Sequence, residues 1–231
     1  RLIDLAMAMV GFIKGGLSMV TIGASIFFAE ISGSAVAGVS AIGSILIPAM
    51  RKKGYSKEFA ASITSSASSL AIILPPSIPM ILYAVMSGES VVKMFVAGIF
   101  PGLLGAMGLA AMCYYLAAKH NFPSEGRFQA SKLWKAFKDA IWALLIPVII
   151  LGGIFGGFVT ATEGAALAVV VAIFISAVVY REFTIKTFLN SCLSAGVSTA
   201  VVMLLVAASA VVGGYLTETR IPQEIAMQIS D

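Results

Sequence analysis

Long stretches without charged side chains constrain this chain more than any other feature. The ranges 94–118, 141–158, 164–180 and 187–216 contain no Asp, Glu, Lys or Arg. Over the whole sequence 59% of residues are hydrophobic and 11% are charged, whereas a soluble domain carries roughly a quarter charged residues. Helices of this length and polarity suit the roughly 30 Å hydrocarbon core of a bilayer. The sequence therefore predicts an all-α polytopic membrane protein in a lipid bilayer, with no nucleic-acid partner.

Both ends of the sequence are amphipathic. Residues 1–16 and 217–231 each predict a helix, or the start of one, along the membrane surface. The chain starts at Arg1, without an initiator methionine or a signal peptide, so we expect an internal fragment of a longer protein. Cys113 and Cys192 lie in apolar runs, which favours simple packing over a disulfide.

The range 17–50 predicts a re-entrant hairpin. Two apolar limbs, each of about a dozen residues by this interpretation, flank the small polar stretch ISGSAVAG at 31–38. Limbs of that length are too short to cross the hydrocarbon core at 1.5 Å per residue. Both limbs would then open on the side that carries Lys14 and the basic cluster at 51–53.

The range 57–119 predicts a broken helix and a following span. The serine-rich stretch at 62–69 precedes LPPSIP at 74–79, and consecutive prolines interrupt a helix because they lack the backbone donor. The following span has glycines at 98, 102, 105 and 108, which favour close helix packing. A basic connector is predicted at 120–140 and three spans at 141–216, the first of them with GGIFGG at 152–157.

The distribution of basic residues supports this arrangement. With the hairpin mouth in the cytoplasm, only Lys93 and Arg220 of the 15 basic residues fall on the external side. The stretch 156–167 has two interpretations. It could be a second hairpin tip, or a short external turn between two full spans; the length of the flanking apolar runs favours the turn.

Two irregular places could carry the chemistry, the hairpin tip and the proline break. Irregular backbone at membrane depth requires protein or a water-filled cavity around it. Free amides at the broken helix suit a carboxylate, and free carbonyls with hydroxyl oxygens suit Na⁺. The alternative interpretation is that these residues serve only helix packing, since membrane helices often contain Gly, Pro and Ser whose hydroxyl bonds to a backbone carbonyl. The candidate substrate- and ion-binding residues are Ser32, Gly33, Ser34, Ser65, Ser66, Ser68, Ser69, Pro75, Pro76 and Ser77.

Other polar and aromatic residues are weaker candidates. Glu30 and Glu163 lie near polar turns and could sit inside the membrane or at its interface. His120 is interpreted as an interfacial residue, Tyr83 as a cavity-lining or packing residue, and Trp134 and Trp142 as interface anchors. No catalytic residues, metal-binding motif such as HExxH, or cofactor site other than Na⁺ coupling is predicted, so a transporter is favoured over an intramembrane hydrolase. A channel remains the alternative, because re-entrant hairpins also build filters.

Several runs resemble the large membrane subunit of tripartite ATP-independent periplasmic (TRAP) transporters. They are SIFFAEISGSAVAGVSAIGSILIPAMRKKGY at 25–55, SSLAIILPPSIPMILY at 68–83, PGLLGAMGL at 101–109, GGIFGGFVTATEGAALAVV at 152–170 and LTETRIPQEIA at 216–226. The resemblance implies an elevator-type fold with inverted repeats, one of them incomplete here. In that fold, 1–16 and 217–231 would be arm helices, 17–119 the transport domain and 141–216 the scaffold.

The resemblance also implies a function. Members import organic acids such as C4-dicarboxylates or sialic acid by Na⁺ symport across the bacterial inner membrane. They work with a small membrane subunit, separate or fused, and a periplasmic substrate-binding protein. Carried onto this sequence, Na⁺ ligands are expected at Ser32, Ser34, Ser68 and Ser69, with the second half of the site beyond residue 231. An ion or anion channel, or an unrelated carrier that needs no binding protein, remains the alternative.

The sequence departs from the family pattern near both irregular places. Gly38 stands where members often have an acidic or hydroxyl residue, and Ala71 and Ile72 replace a Gly-Pro pair before the break. Binding of Na⁺ through the backbone stays compatible with these changes. The resemblance therefore implies no shared side-chain ligands at these positions.

Overall fold

A computed structural model describes residues 1–124, 126, 128–220 and 227. The chain divides into two compact units, Arg1–Ile175 and Ser176–Asp231. The first unit contains α1 (Leu2–Val10), α2 (Gly16–Ser32), α3 (Ala35–Lys52), α4 (Lys57–Ser69), α5 (Ile78–Ser87), α6 (Val91–His120), α7 (Ala130–Phe155) and α8 (Ala161–Phe174). A five-residue π-helical turn, Ile175–Val179, continues α8, and the second unit contains α9 (Ile185–Glu218). The described residues form no strand, as an all-α fold requires.

Five of the described helices are long and apolar enough to cross a membrane: α3, α6, α7, α8 with its π-helical turn, and α9. The predicted all-α polytopic membrane protein is therefore confirmed. The structure describes only residues 217–220 and 227 of the predicted second arm helix, so that prediction lies largely outside the described residues. The first predicted arm helix, 1–16, is helical only over Leu2–Val10.

Helix α2 is the centre of the first unit. It contacts α1, α3, α4, α6 and α7, and ten of its residues are buried. A glycine flanks this helix at each end. Gly15 and Gly33 have φ values of 76° and 58°, a left-handed conformation that glycine adopts at little cost. A helix that packs against neighbours on several sides needs small or apolar side chains around its whole circumference. Helix α2 meets this requirement because it has few charged residues.

The hairpin of α2 and α3 has longer limbs than the sequence predicts. The limbs contain 17 and 18 residues, or roughly 26 and 27 Å at 1.5 Å per residue. The prediction of about a dozen residues was wrong because helix continues through the polar stretches at both ends. Only Gly33 and Ser34 remain outside the helices, and Ser34 caps α3 by accepting a hydrogen bond from the Ala37 amide at 3.4 Å.

The predicted helix break is present. Helix α4 ends at Ser69, a 3₁₀ turn covers Leu70–Ile72, and α5 begins at Ile78. The peptide bond between Pro75 and Pro76 is cis. The break separates two short helices that the sequence joins in one segment.

Helix α6 packs closely against this break through glycine. A Cβ atom at Gly98 would lie 2.4 Å from the Ile73 carbonyl oxygen, and one at Gly102 would lie 2.6 Å from Leu74 Cδ2. Gly105 faces Leu70 in the same way, but Gly108 has no atom within 4 Å. The packing prediction is therefore correct for three glycines and wrong for Gly108, because ten residues after Gly98 the helix has rotated roughly 80° off the contact face.

The predicted connector and the GGIFGG motif differ from expectation. Helix α7 begins at Ala130, so about half of the predicted connector at 120–140 is helical; apolar residues recur there at helical spacing, at 133, 137, 140 and 144. In GGIFGG, Gly153 and Gly156 face only Val159, Phe158 and the local turn. The glycine at the contact between α7 and α8 is instead Gly164, whose Cβ would lie 3.5 Å from Ile154.

Candidate functional site

The hairpin tip and the proline break meet in space. The Ile78 amide donates a hydrogen bond to the Gly33 carbonyl at 3.4 Å, and a Cβ atom at Gly33 would lie 2.8 Å from the Pro76 carbonyl oxygen. Two interruptions separated by more than forty residues of sequence are thus in direct backbone contact. This contact requires glycine at position 33 for two reasons. The φ angle is positive there, and the neighbouring backbone leaves no space for a side chain.

The amino-terminal ends of two helices lie at this junction. Ser34 precedes α3 and Ser77 precedes α5. Proline at position 79 contributes no amide, and the Ile78 amide is used by Gly33. The first amides of a helix carry a partial positive charge that favours an anion. The junction therefore combines backbone donors at the start of α3 with the carboxyl-terminal ends of α2 and of the 3₁₀ turn.

A cavity of about 250 Å³ opens beside the junction. Its polar part is formed by Ser32, Gly33, Pro76 and Ser77. Its remaining walls are apolar and come from α2 and α5–α8: Ile31, Ile78, Ile81, Phe95, Ile150, Ile154, Ala161, Ala165 and Ala168. This is the arrangement expected of a small-molecule site, a mostly apolar concavity with a few fixed polar groups. The sequence indicated the polar wall; α7 and α8 supply walls that no local motif could reveal.

Ser32, Ser34 and Ser77 already have hydrogen-bond partners. Ser77 Oγ donates to the Ile72 carbonyl at 2.6 Å and is fully buried. Ser32 Oγ accepts a hydrogen bond from the Ser34 amide at 3.4 Å. These hydroxyls hold the tip and the break in shape, and each retains an oxygen lone pair that could face a cation.

The serines of α4 divide into two sets. Ser65, Ser66 and Ser69 are exposed in the described part of the chain, and Ser69 Oγ donates to the Ser66 carbonyl at 2.7 Å. Neither these three nor Ser68 lines the cavity at the junction. Ser68 is only 1% exposed; it lies against α3, where a Cβ atom on Gly38 would be 3.1 Å from Ser68 Oγ.

Ser68 and Ser25 differ from the other buried hydroxyls of α2 and α4. Ser18, Thr21 and Thr64 each donate to a carbonyl three or four residues earlier, at 2.7–2.8 Å. Among the described residues, Ser68 Oγ and Ser25 Oγ have no such partner. A buried hydroxyl without a hydrogen bond is costly, so these two oxygens are candidates for an ion or water. Sequence reasoning missed Ser25, although a polar residue inside the apolar run 17–29 was a signal.

The weaker candidates do not line the cavity at the junction. The Glu163 carboxylate accepts hydrogen bonds from the Thr160 amide and Thr160 Oγ1, at 2.7 and 2.9 Å, and completes a capping box at the start of α8. His120 is exposed at the end of α6 and stacks on Phe122. Tyr83 is 61% exposed and does not line the cavity. Glu30 is half-buried on α2, one turn before the tip.

The fold and this junction define a polytopic α-helical membrane protein whose candidate site is formed where a helical hairpin meets a broken helix. Comparison with known proteins identifies the family. The model of the DctM component of tripartite ATP-independent periplasmic transporters matches residues 1–231. The chain belongs to this family of transporter permeases.

Curated relatives of the chain carry different substrate names. The sialic acid TRAP transporter permease protein SiaT of Haemophilus influenzae is 37% identical over the whole chain and 37% of its own length. The 2,3-diketo-L-gulonate TRAP transporter large permease protein YiaN of Escherichia coli is 39% identical over the whole chain and 53% of its own length. The isethionate TRAP transporter permease protein DctMQ of Oleidesulfovibrio alaskensis is 40% identical over 98% of the chain and 36% of its own length. The chain thus spans about half or less of these relatives.

Proposed function

We propose that this chain is part of the large permease subunit of a TRAP transporter that takes up an organic acid together with Na⁺ across the bacterial inner membrane. Partners of this permease would be a small membrane subunit and a periplasmic substrate-binding protein. The observation that carries the proposal is the junction of Gly33 with Pro76 and Ile78, beside a cavity of about 250 Å³. Such a junction offers backbone groups of both polarities without a charged side chain.

The names of the relatives support an organic acid as substrate. Sialic acid, 2,3-diketo-L-gulonate and isethionate share one feature, an acidic group that is anionic at neutral pH. The anionic group would use the amides at the start of α3. The apolar walls from Phe95, Ile150 and Ile154 would contact the rest of the molecule and influence which acid is selected.

Na⁺ would bind to the oxygen atoms nearby. Hard cations prefer carbonyl and hydroxyl oxygens, and the junction offers both kinds. Ser68 is the strongest side-chain candidate, because its hydroxyl is buried and unpartnered among the described residues. Ser32 and Ser34 would contribute mainly by fixing the backbone of the tip.

The test is uptake into proteoliposomes that contain the full-length permease, its small subunit and its binding protein. We expect accumulation of an organic acid only when an inward Na⁺ gradient and the binding protein are both present. Saturation of the initial rate with substrate distinguishes this carrier from a channel, whose flux would rise without saturating. Accumulation that is unchanged without Na⁺ or without the binding protein would contradict the proposal.

A further inference from the structure

An apolar groove of about 600 Å³ lies between α1, α2 and α7, away from the junction. Its lining includes Leu5, Met9, Phe27, Trp134, Phe137 and Leu144. The lining contains no charged residue, and Met9 and Trp134 are 44% and 61% exposed. An open apolar groove of this size in a membrane protein is covered by lipid chains or by protein.

A lysine lies at the rim of this groove. Lys138 Nζ is 5.6 Å from the centre of the Trp134 ring, within the range of a cation–π interaction. Long side chains on a helix point towards its amino-terminal end, so the ammonium lies back over the preceding turn of α7. Trp134 in turn stacks on Phe137, with the ring centres 6.0 Å apart. The aromatic pair therefore lies between the apolar lining of the groove and the positive charge of Lys138.

The position of this charge on α7 matches a membrane interface. Lys132, Lys135, Lys138 and Asp139 fall in the first ten residues of the helix, and no charged residue follows up to Phe155. Trp134 lies within the charged segment, as aromatic anchors do at the headgroup level. By the distribution of basic residues this is the cytoplasmic side, where anionic lipids attract lysine and arginine.

The acidic residues near α7 lie on another side of the helix. Asp4 and Asp139 line a separate cavity of about 490 Å³, together with Lys132 and Lys135. That cavity combines both signs of charge, whereas the lining of the apolar groove, among the described residues, has no acidic residue and its Trp134 lies beside Lys138. Charge complementarity therefore favours an anionic occupant at the groove and not at the neighbouring cavity.

We propose that the groove binds one anionic phospholipid. Its phosphate lies at Lys138 and the edge of Trp134, and an acyl chain lies along Phe137 and Leu144. Burial of the acyl chain in the groove is favourable because it removes methylene groups from water, and the lysine selects the headgroup. The lipid would fill the space between α1 and α7 and thereby stabilise the first unit, independently of the transported substrate.

The experiment measures thermal unfolding of the full-length permease, delipidated in detergent and titrated with phosphatidylglycerol or phosphatidylcholine. We expect phosphatidylglycerol to raise the melting temperature at lower concentration than phosphatidylcholine. Lys138→Gln is expected to weaken the phosphatidylglycerol effect about fivefold, as for one basic residue at a membrane surface, and to leave the phosphatidylcholine effect unchanged. Lys132→Gln removes the same charge from the same helix on the side of the other cavity, and is the matched control.

Leu144→Trp tests the chain-binding part. It fills the inner end of the groove without changing charge, and should weaken both lipids in proportion. Equal effects of the two lipids on the unchanged protein would overturn the proposal, as would a Lys138→Gln variant that keeps its preference for phosphatidylglycerol. Shielding of a Met9→Cys thiol by the small membrane subunit in lipid-free detergent would show that protein covers the groove, and would also overturn it.

Discussion

Replacement of Gly33 by alanine tests whether the contact between the tip and the break is needed for transport. Gly33 has φ 58° and its added Cβ would lie 2.8 Å from the Pro76 carbonyl oxygen. A left-handed conformation costs a non-glycine residue roughly 1–2 kcal/mol. Displacement of the Pro76 carbonyl adds a cost typical of overpacking, about 1–3 kcal/mol. The two costs sum to at least about 2 kcal/mol, and each 1.36 kcal/mol corresponds to a factor of ten, so we expect the equilibrium constant for the intact junction to fall by at least about thirtyfold.

Gly88→Ala is the matched control for this variant. Gly88 ends α5 as Gly33 ends α2: both have positive φ, and each amide donates to the carbonyl four residues earlier. No atom lies within 4 Å of the Cβ position at Gly88. The control therefore carries the conformational cost without the clash.

The assay compares initial uptake rates in proteoliposomes with the melting temperature of each purified permease. We expect both variants to lose stability, but only Gly33→Ala to lose most of its transport. Equal uptake by Gly33→Ala and the unchanged protein would refute the reasoning. So would equal loss in both variants, since the contact with Pro76 would then have no separate role.

Two further predictions concern the surroundings of the junction. Ser68→Ala should keep or slightly raise the melting temperature without Na⁺, because it removes a buried hydroxyl that is unpartnered among the described residues; stabilisation by added Na⁺ should weaken, and unchanged Na⁺ stabilisation would exclude this side chain as a ligand. Gly98→Ala should destabilise the protein by about 1–3 kcal/mol because its Cβ would meet the Ile73 carbonyl at 2.4 Å. Gly108→Ala, with no neighbour within 4 Å, should be neutral or stabilising by up to about 1 kcal/mol, and chemical denaturation measures the difference.

Sequence patterns predicted the fold class and the places where it is irregular. Uncharged stretches such as 187–216 require a membrane, and Pro75 and Pro76 require a break because proline lacks an amide. Small polar residues at 32–34 likewise required a tip. These features are local, so one segment is enough to recognise them.

The local sequence did not determine where some helices begin and end, or what role some residues have. The hairpin limbs extend beyond their apolar runs because neighbouring helices surround α2, and α7 begins before its uncharged stretch because it is amphipathic there. Glu163 was a candidate for chemistry, but its position three residues after Thr160 makes it part of a cap. In each case the outcome depends on hydrogen bonds or packing that the residue type alone does not specify.

The sequence by itself determined that this chain is a membrane protein of the TRAP permease family with a hairpin tip and a broken helix. The tertiary structure decided that the tip and the break touch, that Ser68 is buried while Ser65 and Ser69 are exposed, and that α7 and α8 complete the cavity. The physical reason is that contacts between distant segments depend on how helices pack. The sequence of a serine-rich helix does not show which of its sides faces the protein interior. The neighbouring helices determine which hydroxyl is buried.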